Sequence, residues 1–79
     1  MPIVNGFRAL MLPYREAPPL LREIGTIEEM TIYHSDFNEL IYVVFNPEDE
    51  LYYAFENVEV SKEPLKDITF AIEAFIKKN

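Results

Sequence analysis

Residues 40 to 45, Leu40-Ile41-Tyr42-Val43-Val44-Phe45, are apolar at every position, and this restricts the chain more than any other stretch. Successive side chains on a strand point to opposite faces, so Leu40, Tyr42 and Val44 share one face and Ile41, Val43 and Phe45 the other. A strand of this kind needs cover on both sides. The stretch is followed by Asn46-Pro47-Glu48-Asp49, which suits a type I turn with Asn first and Pro second. The return run Leu51 to Phe55 is again apolar on both faces, and Asn57 to Val60 reads as a short last strand. Residues 38 to 60 therefore predict a two-sided hairpin running into a third strand, to which the rest of the chain must add cover.

Upstream, residues 3 to 12 read as a first strand, with Asn5-Gly6 as a turn or bulge signal. Three prolines in Pro13 to Pro19 remove backbone donors and disfavour helix, so this segment is expected to be an ordered excursion loop. A second strand is expected from Ile24 to about Tyr33. A bulge at Glu28-Glu29 would return Met30 and Ile32 to the core face. Residues 34 to 38 form a polar connection. Downstream, Ser61 and Pro64 open a helix that runs to about Lys78, with Ser61 as cap and Lys77-Lys78 matching the carboxyl end of the dipole. On that helix Leu65, Ile68, Ile72, Phe75 and Ile76 fall within about 120° of arc, a stripe fit to lie on a sheet. Phe70 falls on the polar side, in line with Lys66 and Lys77, and reads as a contact point for a partner or a twin subunit.

The expected fold is α+β, mainly β: a small five-stranded antiparallel barrel or sheet with a C-terminal amphipathic helix packed on it. All 79 residues form one domain, residues 3 to 60 the β module and 61 to 79 the helix. A helix of this length spans about 22 Å. Where it does not reach all of the surplus apolar face, a second copy of the chain is expected to, so a homodimer is part of the expectation.

Charge is divided along the chain. Net charge is −7, and between Glu23 and Val60 there are ten acidic residues and no Lys or Arg. Such a surface repels phosphate backbones, which argues against direct nucleic-acid binding and for a basic protein partner. No run approaches the roughly 20 apolar residues of a membrane span. The opening residues lack the basic region of a signal peptide, and there is no cysteine to staple a secreted fold. A cytoplasmic protein is expected.

No arrangement of residues points to catalysis. His34 is the only histidine, with Asp36 and Glu39 nearby, but a zinc site needs four ligands and no second His or Cys exists. Glu48, Asp49 and Glu50 are consecutive on a turn and point apart, which does not suit paired acid–base work. Two glycines cannot build a phosphate loop, and Ser35 and Ser61 have no base placed to activate them. No enzyme activity, metal or cofactor is expected. Tyr52-Tyr53 are consecutive, so one ring must face outward or lie under the helix. An outward ring beside Glu48 to Glu50 makes a patch able to grip a basic partner that also carries apolar groups.

Five short strands, a long loop after the first, and Gly25-Thr26-Ile27 opening the second together resemble the SH3-like small β-barrels. Arg8-Ala9-Leu10 and Tyr14-Arg15-Glu16-Ala17 resemble the Ala-Leu-Tyr-Asp-Tyr start of eukaryotic SH3 domains, and Asn57-Val58-Glu59-Val60 resembles their Asn-Tyr-Val-Glu ending. The resemblance covers residues 3 to 60 and implies a protein-interaction fold. The family's paired tryptophans and Pro-Ser-Asn-Tyr stretch are missing here, so recognition of proline-rich peptides does not carry over. Only Tyr14 stands where a groove residue would. The sequence thus predicts an acidic interaction module, with Tyr14, Glu48, Asp49, Glu50, Tyr52 and Phe70 as partner-binding residues. The alternative expectation is an inhibitor that imitates nucleic acid with its carboxylates.

Overall fold

In a computed structural model of the chain, residues 2–10 and 13–77 are described. The strands are β1 (Phe7–Ala9), β2 (Leu21–Ile27), β3 (Met30–Ser35), β4 (Ile41–Asn46) and β5 (Leu51–Asn57), followed by one helix, α1 (Pro64–Phe75). They form a single antiparallel sheet in the order β1-β5-β4-β3-β2, open at both edges, and the fold is α+β and mainly β.

The two-sided strand occupies the centre. The register pairs Tyr42 with Phe55, Val44 with Tyr53, and Ile32 with Val44, which places one alternating set on the face beneath α1. There Phe7, Met30, Ile32, Tyr42, Val44 and Phe55 close against Ile68, Ala71 and Ile72 of the helix. Removing these side chains from water at roughly 25 cal/mol per Å² is the main force joining helix to sheet. Phe55 lies against Phe75 with ring centroids 6.0 Å apart, and Phe7 meets the edge of Tyr42 at 5.4 Å. Leu65 covers Gly25, where an added Cβ would lie 3.3 Å from the leucine Cδ1.

The second strand begins at Leu21 rather than Ile24 and the helix ends at Phe75, and the larger differences from expectation each have a local cause. Glu28-Glu29 is not a bulge within one strand. It is the turn of a tight hairpin, with Ile27 paired to Met30 and Glu28 in the left-handed region at φ 57°. Met30 and Ile32 still reach the core, on a strand of their own. The bulge lies instead between Glu23 and Gly25. The first strand is short because Asn5 and Gly6 turn the chain sharply, at φ 49° and 85°, joining Val4 to Phe7 by backbone bonds of 2.9 and 3.0 Å; positive φ at both central residues marks a primed hairpin turn. Its expected end at residues 11 and 12 lies outside the described residues. Asn57 to Val60 adds no strand: β5 continues to Asn57 and the chain then leaves the sheet.

Buried Asn57 organises that departure. Its Nδ2 donates to the carbonyls of Gly6 and Glu59, both at 3.2 Å, and its Oδ1 accepts from the Ser61 amide at 3.0 Å. Ser61 is not the helix cap. The cap position is Glu63, with Pro64 beginning the helix, and the Ser61 hydroxyl donates to Asp67 in the first turn. At the far end Lys77 reaches Glu28 at 2.5 Å and Glu73 at 3.4 Å, tying the helix end to the β2–β3 turn. Lys78 lies outside the described residues.

Candidate functional site

β1 and β2 lie on opposite edges of the sheet, so the segment joining them must cross one face. The helix occupies one, and the excursion crosses the other. Tyr14 anchors it: its amide donates to the Tyr52 carbonyl at 2.8 Å and its carbonyl accepts from the Tyr52 amide at 2.7 Å. The excursion ends at Leu20, whose carbonyl accepts from the Asp36 amide at 2.7 Å and whose φ is 61°.

The excursion does not fill the face it crosses. Val43 and Ala54 are buried beneath it, while Leu10, Tyr14, Pro18, Pro19 and Ile41 line an open groove of about 440 Å³. Towards the β4–β5 turn the same face carries an aromatic strip. Phe45 and Tyr52 are register partners with ring centroids 4.7 Å apart, and Tyr33 lies 6.4 Å from Tyr52. All three rings are half-buried.

The consecutive tyrosines divide as strand geometry requires. Tyr52 joins the open face, while Tyr53 packs on the helix side and donates its hydroxyl to Asp49. Burial first, then that bond and the adjacent carboxylate charge, push the Tyr53 hydroxyl from 10.0 up to about 12. Tyr33 and Tyr42 are also raised, chiefly by burial. Because the folded value of Tyr53 exceeds the unfolded one, its contribution is complete below pH 10 and is lost as pH rises through 12. Stability from urea titration should fall more steeply between pH 10 and 12 in wild type than in Tyr53→Phe; equal slopes would refute the assignment.

The acidic turn is a built loop. Asn46 Oδ1 accepts from the Glu48 amide at 3.1 Å, Asp49 Oδ1 from the Leu51 amide at 3.0 Å, and the Glu50 amide donates to the Asn46 carbonyl at 2.8 Å. Glu50 takes φ 59°, completing the reversal. Hairpin turns alternate ends in a meander, so this turn and Glu28-Glu29 share one end of the sheet. Glu28, Glu29, Glu48 and Lys77 indeed line one hollow of about 310 Å³.

Of the residues singled out from sequence, the structure brings Tyr14 and Tyr52 together, while the acidic turn that follows Phe45 and precedes Tyr52 turns two of its carboxylates to the helix side: Glu48 lines the hollow with Met30, Ile76 and Lys77, and Asp49 accepts from Tyr53. Phe70 stands apart, on the outward side of α1 and 48% exposed, with the sheet between it and Tyr52. His34 stacks on Tyr42 at 4.5 Å, and its Nε2 bonds the Glu39 carbonyl at 2.8 Å. Among the described residues no group of three His, Cys, Asp or Glu side chains is placed to hold a metal. Sequence reasoning missed Leu20 and Phe37, exposed at 59% and 83%, which flank the groove at the end away from the acidic turns. The signal available for them was an apolar residue following two prolines and a lone Phe in a polar loop. No described helix is long and apolar enough to cross a membrane. No protein-family model, curated protein or solved structure matches the chain.

Proposed function

We propose that the protein is a small acidic interaction module, without chemistry of its own, that grips a basic partner carrying apolar side chains. The observation that supports this most is the aromatic strip Tyr33-Phe45-Tyr52 on the open face, which ends at the acidic turn joining β4 to β5. Aromatic rings supply the apolar contact and the turn supplies attraction and orientation, the usual division between the core and rim of an interface. In this reading the chain is an SH3-like small β-domain with an added helix; the five short antiparallel strands and the long excursion after the first support that kinship.

A lysine- and leucine-rich peptide serves as probe. Tyr52→Ala should weaken its binding about tenfold, a loss typical of a central aromatic contact. Glu48→Lys should slow association and flatten the salt dependence. Equal affinities for wild type and Tyr52→Ala would overturn the proposal. The second reading, imitation of nucleic acid, is favoured by the gathering of Glu28, Glu29, Glu48, Asp49 and Glu50 on neighbouring turns with one described lysine among them. Tight binding to a DNA-binding protein that ignores Tyr52→Ala but fails with Glu48→Lys would establish it instead.

A further inference from the structure

At the other end of the open face, remote from the acidic turns, the surface is built differently. Phe37 projects from the β3–β4 loop with 83% of its surface exposed, and Leu20 projects beside it. Between them begins a hollow lined by Pro18, Pro19, Ser35 and Ile41, the same residues that border the groove beneath the excursion. A projecting ring and an apolar recess therefore lie side by side on one surface. Leu20 takes the left-handed region at φ 61°, strained for a non-glycine residue, with its carbonyl bonded to the Asp36 amide and its side chain exposed.

From this arrangement we infer that the protein associates with a second copy of itself, each Phe37 seating in the other's groove. A knob beside its own hole is what an isologous two-fold contact requires, since one patch must complement itself. Charge selects the second copy over a basic partner here. Beside the groove, Glu16 stands on the rim, Arg8 is paired with Glu56, the register partner of Ile41, and Arg22 lies 3.8 Å from Asp36 at the same end of the sheet, so charge there is close to balanced. The opposite end carries Glu28, Glu29, Glu48, Asp49, Glu50 and Glu73 against Lys77. Strands of six or seven residues separate the two ends by about 20 Å, more than two screening lengths at physiological salt. Two copies joined at Phe37 keep their acidic turns apart. With Phe37, Leu20 and Tyr14 as the main apolar contributors, the contact buries on the order of 1,000 Å² in total, at the lower edge of specific interfaces, so the association is weak and concentration-dependent.

Sedimentation equilibrium between about 5 and 500 µM tests this. Wild type should pass from monomer to dimer across that range, and Phe37→Asp should remain monomeric throughout while keeping the wild-type melting temperature, because the ring has little packing to lose. Val60→Asp, an equally exposed apolar site outside the patch, should dimerise as wild type does. Added salt should strengthen the dimer by screening like charges, the reverse of its effect on the basic peptide, so the two proposals fail separately. A wild type monomeric at every concentration, or a dimer that survives Phe37→Asp, would overturn the inference.

Discussion

Phe55→Ala is expected to remove about 3–5 kcal/mol, roughly a third or more of what holds a domain of this size together. The ring has no solvent exposure and sits opposite Ala9 on β1 and Tyr42 on β4, with Phe75 of the helix against it. One side chain thus joins an edge strand, a central strand and the helix. Truncating a buried Phe costs about 3–5 kcal/mol, because the cavity closes only in part. A 79-residue domain has a total stability of about 4–12 kcal/mol, so the loss approaches the whole at the lower end. Urea titration should show a greatly shortened folded baseline. A midpoint shift worth less than about 1 kcal/mol would show that the ring does not unite the three elements.

Gly6→Ala is expected to be nearly as damaging, although it removes nothing. Gly6 has φ 85°, and an added Cβ would stand 2.6 Å from the Glu59 carbonyl oxygen and 3.3 Å from Asn57 Nδ2. Neither neighbour can yield cheaply. The Glu59 carbonyl accepts from Asn57, whose side chain also holds Gly6 and Ser61, so displacing it disturbs the junction between sheet and helix. Backbone strain and the clash together cost roughly 2–5 kcal/mol. Thermal melting should drop by 10 °C or more, on the order expected for a domain of this size. Asn57→Ala should fall in the same range, since it strands the Glu59 carbonyl and the Ser61 amide and takes one of two donors from the Gly6 carbonyl. A Gly6→Ala protein that melts with wild type would mean that the Asn5-Gly6 turn does not press on the β5–α1 junction.

The fold was largely legible because its strongest signals are periodic. The two-sided run at 40 to 45, the return strand and the helical stripe are set by burial, which dominates this sheet, and all three lie where the pattern placed them. What escaped was local. Nothing in Glu28-Glu29 advertises a turn, since positive φ there belongs by propensity to Gly, Asn or Asp; Ile27–Met30 pairing and the Lys77 contact impose it. The strand total agreed with expectation through two opposite differences, a hairpin gained at Glu28-Glu29 and a strand lost after Asn57. An asparagine ending an apolar strand gave no hint that its amide would be buried and triply bonded.

The candidate site was legible in part, for similar reasons. Consecutive tyrosines must point apart, and the acidic turn follows from Asn46-Pro47, so an outward Tyr52 close to that turn could be foreseen; that Glu48 and Asp49 would lean to the helix side, toward Lys77 and Tyr53, could not. The direction of the excursion could not be. Once β1 and β2 take opposite edges, the excursion must cross the face that the helix leaves open, and that edge order is a long-range property. Phe70 was grouped with Tyr14 and Tyr52 because one dimension cannot show that a sheet separates them.

The claim on which the rest depends is that the helix seals one face of the sheet and leaves the other to bind. Amide shift mapping by NMR, with the lysine- and leucine-rich peptide titrated to saturation, tests it most directly. The account predicts perturbations centred on Val43, Phe45, Tyr52 and Ala54 and on the turn at 48–50, with the helix from Ile68 to Glu73 unmoved. Perturbations centred on Phe70 and the outer side of the helix would contradict it.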